Sequence, residues 1–136
     1  MKKLMFATAA LAAMVLVLVV VLGRPAEAGS KAVSSVVVNT GTRTASGFVG
    51  STRNSPDSSS FLTCTVSGFS SGALAATCRA RDAAGRELFC FSSVPAIVAA
   101  AQAINGDSDV FFTADASGFC TEITSGNTSL AEPKLP

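Results

Sequence analysis

Four cysteines, Cys64, Cys78, Cys90 and Cys120, constrain this chain more than any other feature. No two form a C-x-x-C pair and the sequence contains no histidine, so the set does not read as a zinc site. An even count in an exported chain reads instead as two disulfides. Three of the four lie between Phe61 and Phe91, a stretch patterned as a three-stranded antiparallel meander. Leu62, Cys64 and Val66 alternate with Thr63 and Thr65, and Leu74, Ala76, Cys78 and Ala80 alternate with Thr77, Arg79 and Arg81. Phe89 and Phe91 fall on the face opposite Cys90.

The segment Asp82-Ala83-Ala84-Gly85-Arg86 suits a three-residue hairpin loop, a type I turn closed by a left-handed Gly85. This turn sets Asp82 opposite Arg86, Arg81 opposite Glu87 as a cross-strand ion pair, and Cys78 opposite Cys90. Cys64 and Cys90 would sit two strands apart, about 10 Å, which disfavours joining them. The tight turn favours Cys78–Cys90 with Cys64–Cys120. Cys64–Cys78 with Cys90–Cys120 stays open as the alternative.

Lys2 and Lys3, the apolar run Leu4 to Leu22, and Pro25 before Ala26-Glu27-Ala28 match the three regions of a secretory signal peptide. The apolar run is also close to the ~20 residues of a membrane anchor, but the small-residue cleavage pattern favours removal of residues 1–28. A single disulfide-bonded, β-rich domain is expected over 29–136, secreted or periplasmic. Loss of Lys2, Lys3, Arg24 and Glu27 leaves seven cations and eight anions, a net charge of −1. So balanced a chain offers no basic face for nucleic acid and none for a membrane after cleavage. A domain of this size has a modest core, which makes the cross-links important.

Elsewhere the pattern predicts strands over 32–38 and 43–49 and an exposed polar loop over 50–60. A helix over 96–104 is expected to be capped by Ser93, with Pro95 in its first turn. Strands over 109–114 and 119–124 flank Asp115-Ala116-Ser117-Gly118, which repeats the earlier turn chemistry and pairs Ala114 with Cys120 and Phe111 with Ile123. The expected fold is α+β and β-dominated: an antiparallel sheet of about seven short strands, one helix packed on it, and two disulfides.

Function is read mostly from what the composition lacks. With no His, Tyr or Trp, imidazole bases, Ser-His and Cys-His nucleophile pairs and imidazole metal ligands are unavailable. Asp107 and Asp109, beside Asn105 and Ser108, are weak candidates for a hard cation or a carboxylate pair. No cofactor is expected and the chain does not read as an enzyme; a carboxylate- or calcium-dependent one is the least supported reading. Arg53, Asn54 and Asp57 mark the 50–60 loop as a possible contact site for a secreted inhibitor or effector. An uncovered Phe89 and Phe91 would mark a site for a protein partner or self-association. The leading expectation is a non-enzymatic binding or assembly module.

Several segments taken together, Gly50 to Ser58, Cys78-Arg79-Ala80-Arg81-Asp82 with Gly85 and Cys90, Ala99-Ala100-Ala101, Asn105-Gly106-Asp107-Ser108 and Gly118-Phe119-Cys120-Thr121, resemble a group of short exported bacterial proteins of unassigned function. The resemblance spans most of the expected domain. It implies export and a shared fold, and carries no site residues over.

Overall fold

A computed structural model describes residues 32–130. The signal-peptide expectation over 1–28 lies outside the described residues. Seven strands form two antiparallel sheets: β1 (Val37–Asn39), β2 (Thr44–Phe48), β6 (Ser108–Ala114) and β7 (Cys120–Asn127) in the order β1-β2-β6-β7, and β3 (Phe61–Gly68), β4 (Leu74–Arg81) and β5 (Glu87–Ser92) as a meander. Two helices, α1 (Val49–Arg53) and α2 (Pro95–Gln102), lie in the connections between the sheets. The β-dominated α+β architecture is as expected, with the strands divided between two sheets rather than gathered in one.

The inner faces of both sheets share one core. Leu62, Ala76, Cys78, Ala80, Leu88 and Cys90 meet Val36, Val38, Ala45, Val110, Phe112, Ala114 and Ile123, and α2 adds Val98 and Ala101. Phe112 is the bulkiest side chain with no exposure. Most of the rest are Ala, Val and Cys, so each contributes little apolar area and the backbones approach closely. Gly47 shows how closely: a Cβ there would lie 2.9 Å from the Val36 Cα. Residues 34–36 cross it, with the Phe48 N–H donating to the Ser34 carbonyl at 3.0 Å. That crossing shortens β1 relative to the expected 32–38.

Both hairpin turns use the predicted device. In one, the Asp82 Oδ1 accepts from the Ala84 and Arg86 N–H groups; in the other, the Asp115 Oδ1 accepts from the Ser117 and Phe119 N–H groups. Gly85 and Gly118 close them at φ 77° and 85°, where a side chain is strained. The first turn fixes the expected register, with Cys78 opposite Cys90 and Arg81 opposite Glu87. The second does so only at Ala114 and Cys120. A bulge then shifts the ladder by one, so Ile123 pairs with Phe112 rather than with Phe111. The shift brings Ile123 into the core beside Phe112 and turns Glu122 outward.

The disulfides are Cys64–Cys78 and Cys90–Cys120, which overturns the favoured Cys78–Cys90 and Cys64–Cys120 pairing. The cause is strand parity. In an antiparallel ladder, directly opposed residues alternate between hydrogen-bonded pairs about 5.5 Å apart and non-bonded pairs about 4.5 Å apart with closer side chains. Counting back from the Asp82–Arg86 hydrogen bond places Cys78 and Cys90 in a wide pair. Counting from Phe69–Ala73 places Cys64 and Cys78 in a narrow one, with Cα atoms 4.1 Å apart. Cys78 therefore bonds Cys64, and Cys90 is left for Cys120 in the other sheet, Cα to Cα 4.9 Å.

Two further expectations are corrected. The polar 50–60 stretch is not wholly an exposed loop: α1 occupies its start and buries Gly50, Ser51 and Thr52. Small hydroxyl side chains fill the space there without the apolar signature that marks a buried segment. At α2, Pro95 holds the first turn but Val94 is the N-cap, and Ser92, not Ser93, hydrogen-bonds the entering backbone through its Oγ.

Candidate functional site

The outer face of β3-β4-β5 follows from strand alternation. Because Leu62, Cys78, Ala80, Leu88 and Cys90 point inward, their neighbours point out. Across the three strands these make the rows Phe61–Arg81–Glu87, Thr63–Arg79–Phe89 and Thr65–Thr77–Phe91. Among the described residues no other element covers Phe89, which is 50 % exposed, and Phe91 is 37 % exposed. The expectation that these two side chains stand apart from the core is met.

Long-range pairing enlarges the patch. The Phe91 N–H donates to the Gly118 carbonyl at 3.0 Å, a one-residue parallel bridge that sets Phe119 beside Phe91 with ring centroids 6.3 Å apart. Phe119 is 52 % exposed, so three phenylalanines edge the face. On β4, the Arg79 guanidinium lies 5.7 Å from the Phe61 ring centroid, a cation–π contact that orients the charge over the sheet. Arg81 and Glu87 form the expected cross-strand pair at 3.6 Å, half exposed and worth well under ~1 kcal/mol. On the same face lies a cleft of about 480 Å³ whose walls include Phe61, Arg79, Glu87 and Phe89. It offers aromatic surface, one guanidinium group and a carboxylate, but no nucleophile with a base beside it.

Phe61 also walls a second cleft, of about 300 Å³, with Val49, Thr52, Arg53 and Ser60. Arg53 is exposed at the end of α1, and Asn54 is half-buried just beyond it. Asp57, half-buried, organises its own loop. Its Oδ2 accepts from the Ser55 Oγ at 2.5 Å, and its Oδ1 accepts from the Ser59 and Ser60 N–H groups at 2.9 and 2.6 Å. The Ser55 hydroxyl and the Ser60 N–H hold the Asp57 carboxyl well below the usual carboxylate range.

Asp107 and Asp109 are both exposed, on either side of the buried Ser108. The Asn105 Oδ1 is engaged by the Asp107 N–H at 2.9 Å and lies 3.3 Å from the Ser108 Oγ, which also donates to the Asn127 Oδ1 at 2.8 Å. Among the described residues no three His, Cys, Asp or Glu side chains come together as a metal site.

Asp82, read from sequence only as a turn residue, is 3 % exposed and reaches the other sheet. Its Oδ2 accepts from the Val38 N–H at 3.3 Å and the Arg86 Nε at 2.7 Å. Burial pushes this carboxyl up, but hydrogen bonds from the Arg86 backbone and side chain and from the Val38 N–H, with the Arg86 charge, outweigh burial and hold it below its ordinary value. Nothing local to its sequence signals that reach, nor the arrival of Phe119 beside Phe91.

No helix among the described residues is long and apolar enough to cross a membrane. Comparison with protein-family models, curated proteins and solved structures finds no match. The described residues form a small two-sheet domain, cross-linked within one sheet and between the two, in which they leave the outer face of β3-β4-β5 uncovered.

Proposed function

We propose that this protein is a non-enzymatic binding or assembly module, secreted or periplasmic after removal of residues 1–28, whose contact surface is the outer face of β3-β4-β5. The observation that carries this reading is the set of exposed rings Phe89 and Phe91, with Phe119 beside Phe91 at the edge, on a sheet face that no other element among the described residues covers, flanked by Arg79 and Arg81. Aromatic residues and arginine are the types that anchor protein contacts, and a rigid strand framework presents them at small entropic cost. Two disulfides suit an oxidising compartment and hold so small a core together. The resemblance to short exported bacterial proteins supports the same compartment.

The test is a Phe89→Ser, Phe91→Ser variant, exported from its own host alongside wild type and compared by native gel electrophoresis. Wild type is expected in a complex that the variant fails to form while keeping its thermal stability. A complex of equal abundance in both would overturn this reading. A second reading, an inhibitor or effector presenting Arg53 beside residues 54–60, is supported by the order that Asp57 imposes on the loop. An Arg53→Ala variant that alone loses the complex would select it.

A further inference from the structure

The two sheets differ in the charge they show outward. β3, β4 and β5 carry Arg79, Arg81 and Glu87, a net positive set. β1, β2, β6 and β7 contain no lysine or arginine and carry Asp109 and Glu122, both exposed on their outer face. That face also carries apolar side chains: Val37, 53 % exposed on the edge strand, Phe48 on β2 and Phe111 across Ser46 on β6, both half-buried. One side of the molecule thus offers aromatic rings with guanidinium groups, and the opposite side offers apolar side chains with carboxylates.

Resting on the contact reading above, we propose that the occupant of the β3-β4-β5 face is a second copy of this chain, docked by the outer face of β1-β2-β6-β7. Opposite signs meet in this arrangement, whereas two β3-β4-β5 faces placed together set four guanidinium groups against two carboxylates. The contact is heterologous, so every copy keeps one free face of each kind and chains lengthen with concentration instead of closing as dimers. Three strands about 4.8 Å apart and up to eight residues long at about 3.3 Å each give a face of roughly 14 by 26 Å, small enough for a weak, reversible contact. Salt screens the charges and weakens it.

Sedimentation velocity on the exported, processed protein tests this. Three samples are needed: wild type, Phe89→Glu, which spoils the positive face, and Asp109→Lys with Glu122→Lys, which spoils the negative one. All these positions are exposed, so folding is checked by far-ultraviolet circular dichroism and melting. Wild type is expected to gain mass continuously between roughly 10 and 500 µM and to lose it as salt is raised. Each variant alone stays monomeric, and their mixture forms a one-to-one pair, because each supplies the face the other lacks. Monomer in every sample overturns the stacking, and the contact reading then stands or falls separately on whether the native complex depends on Phe89 and Phe91. Self-association that persists in Phe89→Glu overturns the stacking and counts against the β3-β4-β5 contact surface as well.

Discussion

Asp82 shows how much one side chain can hold in a core this small. It caps its own turn, pairs with Arg86 and accepts from the Val38 N–H, so it ties the meander to β1. Replacing it by Ala leaves a buried N–H without its acceptor and removes charge-assisted bonds, an expected cost of about 2–4 kcal/mol by chemical denaturation. The carboxyls of Asp82 and Asp57 are both held below the ordinary value, so the unfolded chain takes up protons first. Their contribution is complete above about pH 4 and is lost as pH falls through the folded values. Melting temperature should therefore drop below about pH 4, and Asp82→Asn should flatten that acid limb. Gly47→Ala should be destabilising by about 1–3 kcal/mol, since the new methyl meets the Val36 backbone and not a side chain that can turn aside.

At the scale of elements, the meander was the most legible part of the sequence. Alternation and the Asp82–Arg86 turn gave its three strands, its register and the outward Phe89 and Phe91, because those are local properties of backbone twist and side-chain period. The disulfide pairing is not legible from opposition alone, which does not separate the wide pair Cys78/Cys90 from the narrow pair Cys64/Cys78. The parity count from each turn does separate them. Helix α1 leaves no apolar signature in the sequence, since Ser51 and Thr52 are buried without being apolar, and nothing local links Phe119 to Phe91, whose bridge spans the whole of α2 and β6. The two bridges have different work. Cys64–Cys78 closes a hairpin across 14 residues, whereas Cys90–Cys120 spans 30 and joins the sheets. Chain entropy makes the longer one worth roughly 0.6 kcal/mol more. A Cys90→Ala, Cys120→Ala variant should thus lose more stability than Cys64→Ala, Cys78→Ala, and amide exchange should rise along β5 and β7 together.

For the molecule as a whole, the division into two sheets explains why a chain of modest core leaves aromatic surface outside. One core is filled by Ala, Val, Cys and Phe112 from both inner faces and α2, and nothing remains in the described residues to cover β3-β4-β5. Phe112→Ala should cost about 3–5 kcal/mol, because no neighbour is large enough to fill the void. Phe89→Ser, by contrast, should change stability by less than about 0.5 kcal/mol, the mark of a side chain kept for contact and not for folding. The most direct measurement of that claim is photocross-linking in the native compartment, with a photoreactive phenylalanine at position 89 and, as control, at position 102, exposed at the end of α2. A discrete adduct is expected from position 89 and none from position 102. Equal labelling from both positions, or none from position 89, would contradict the claim.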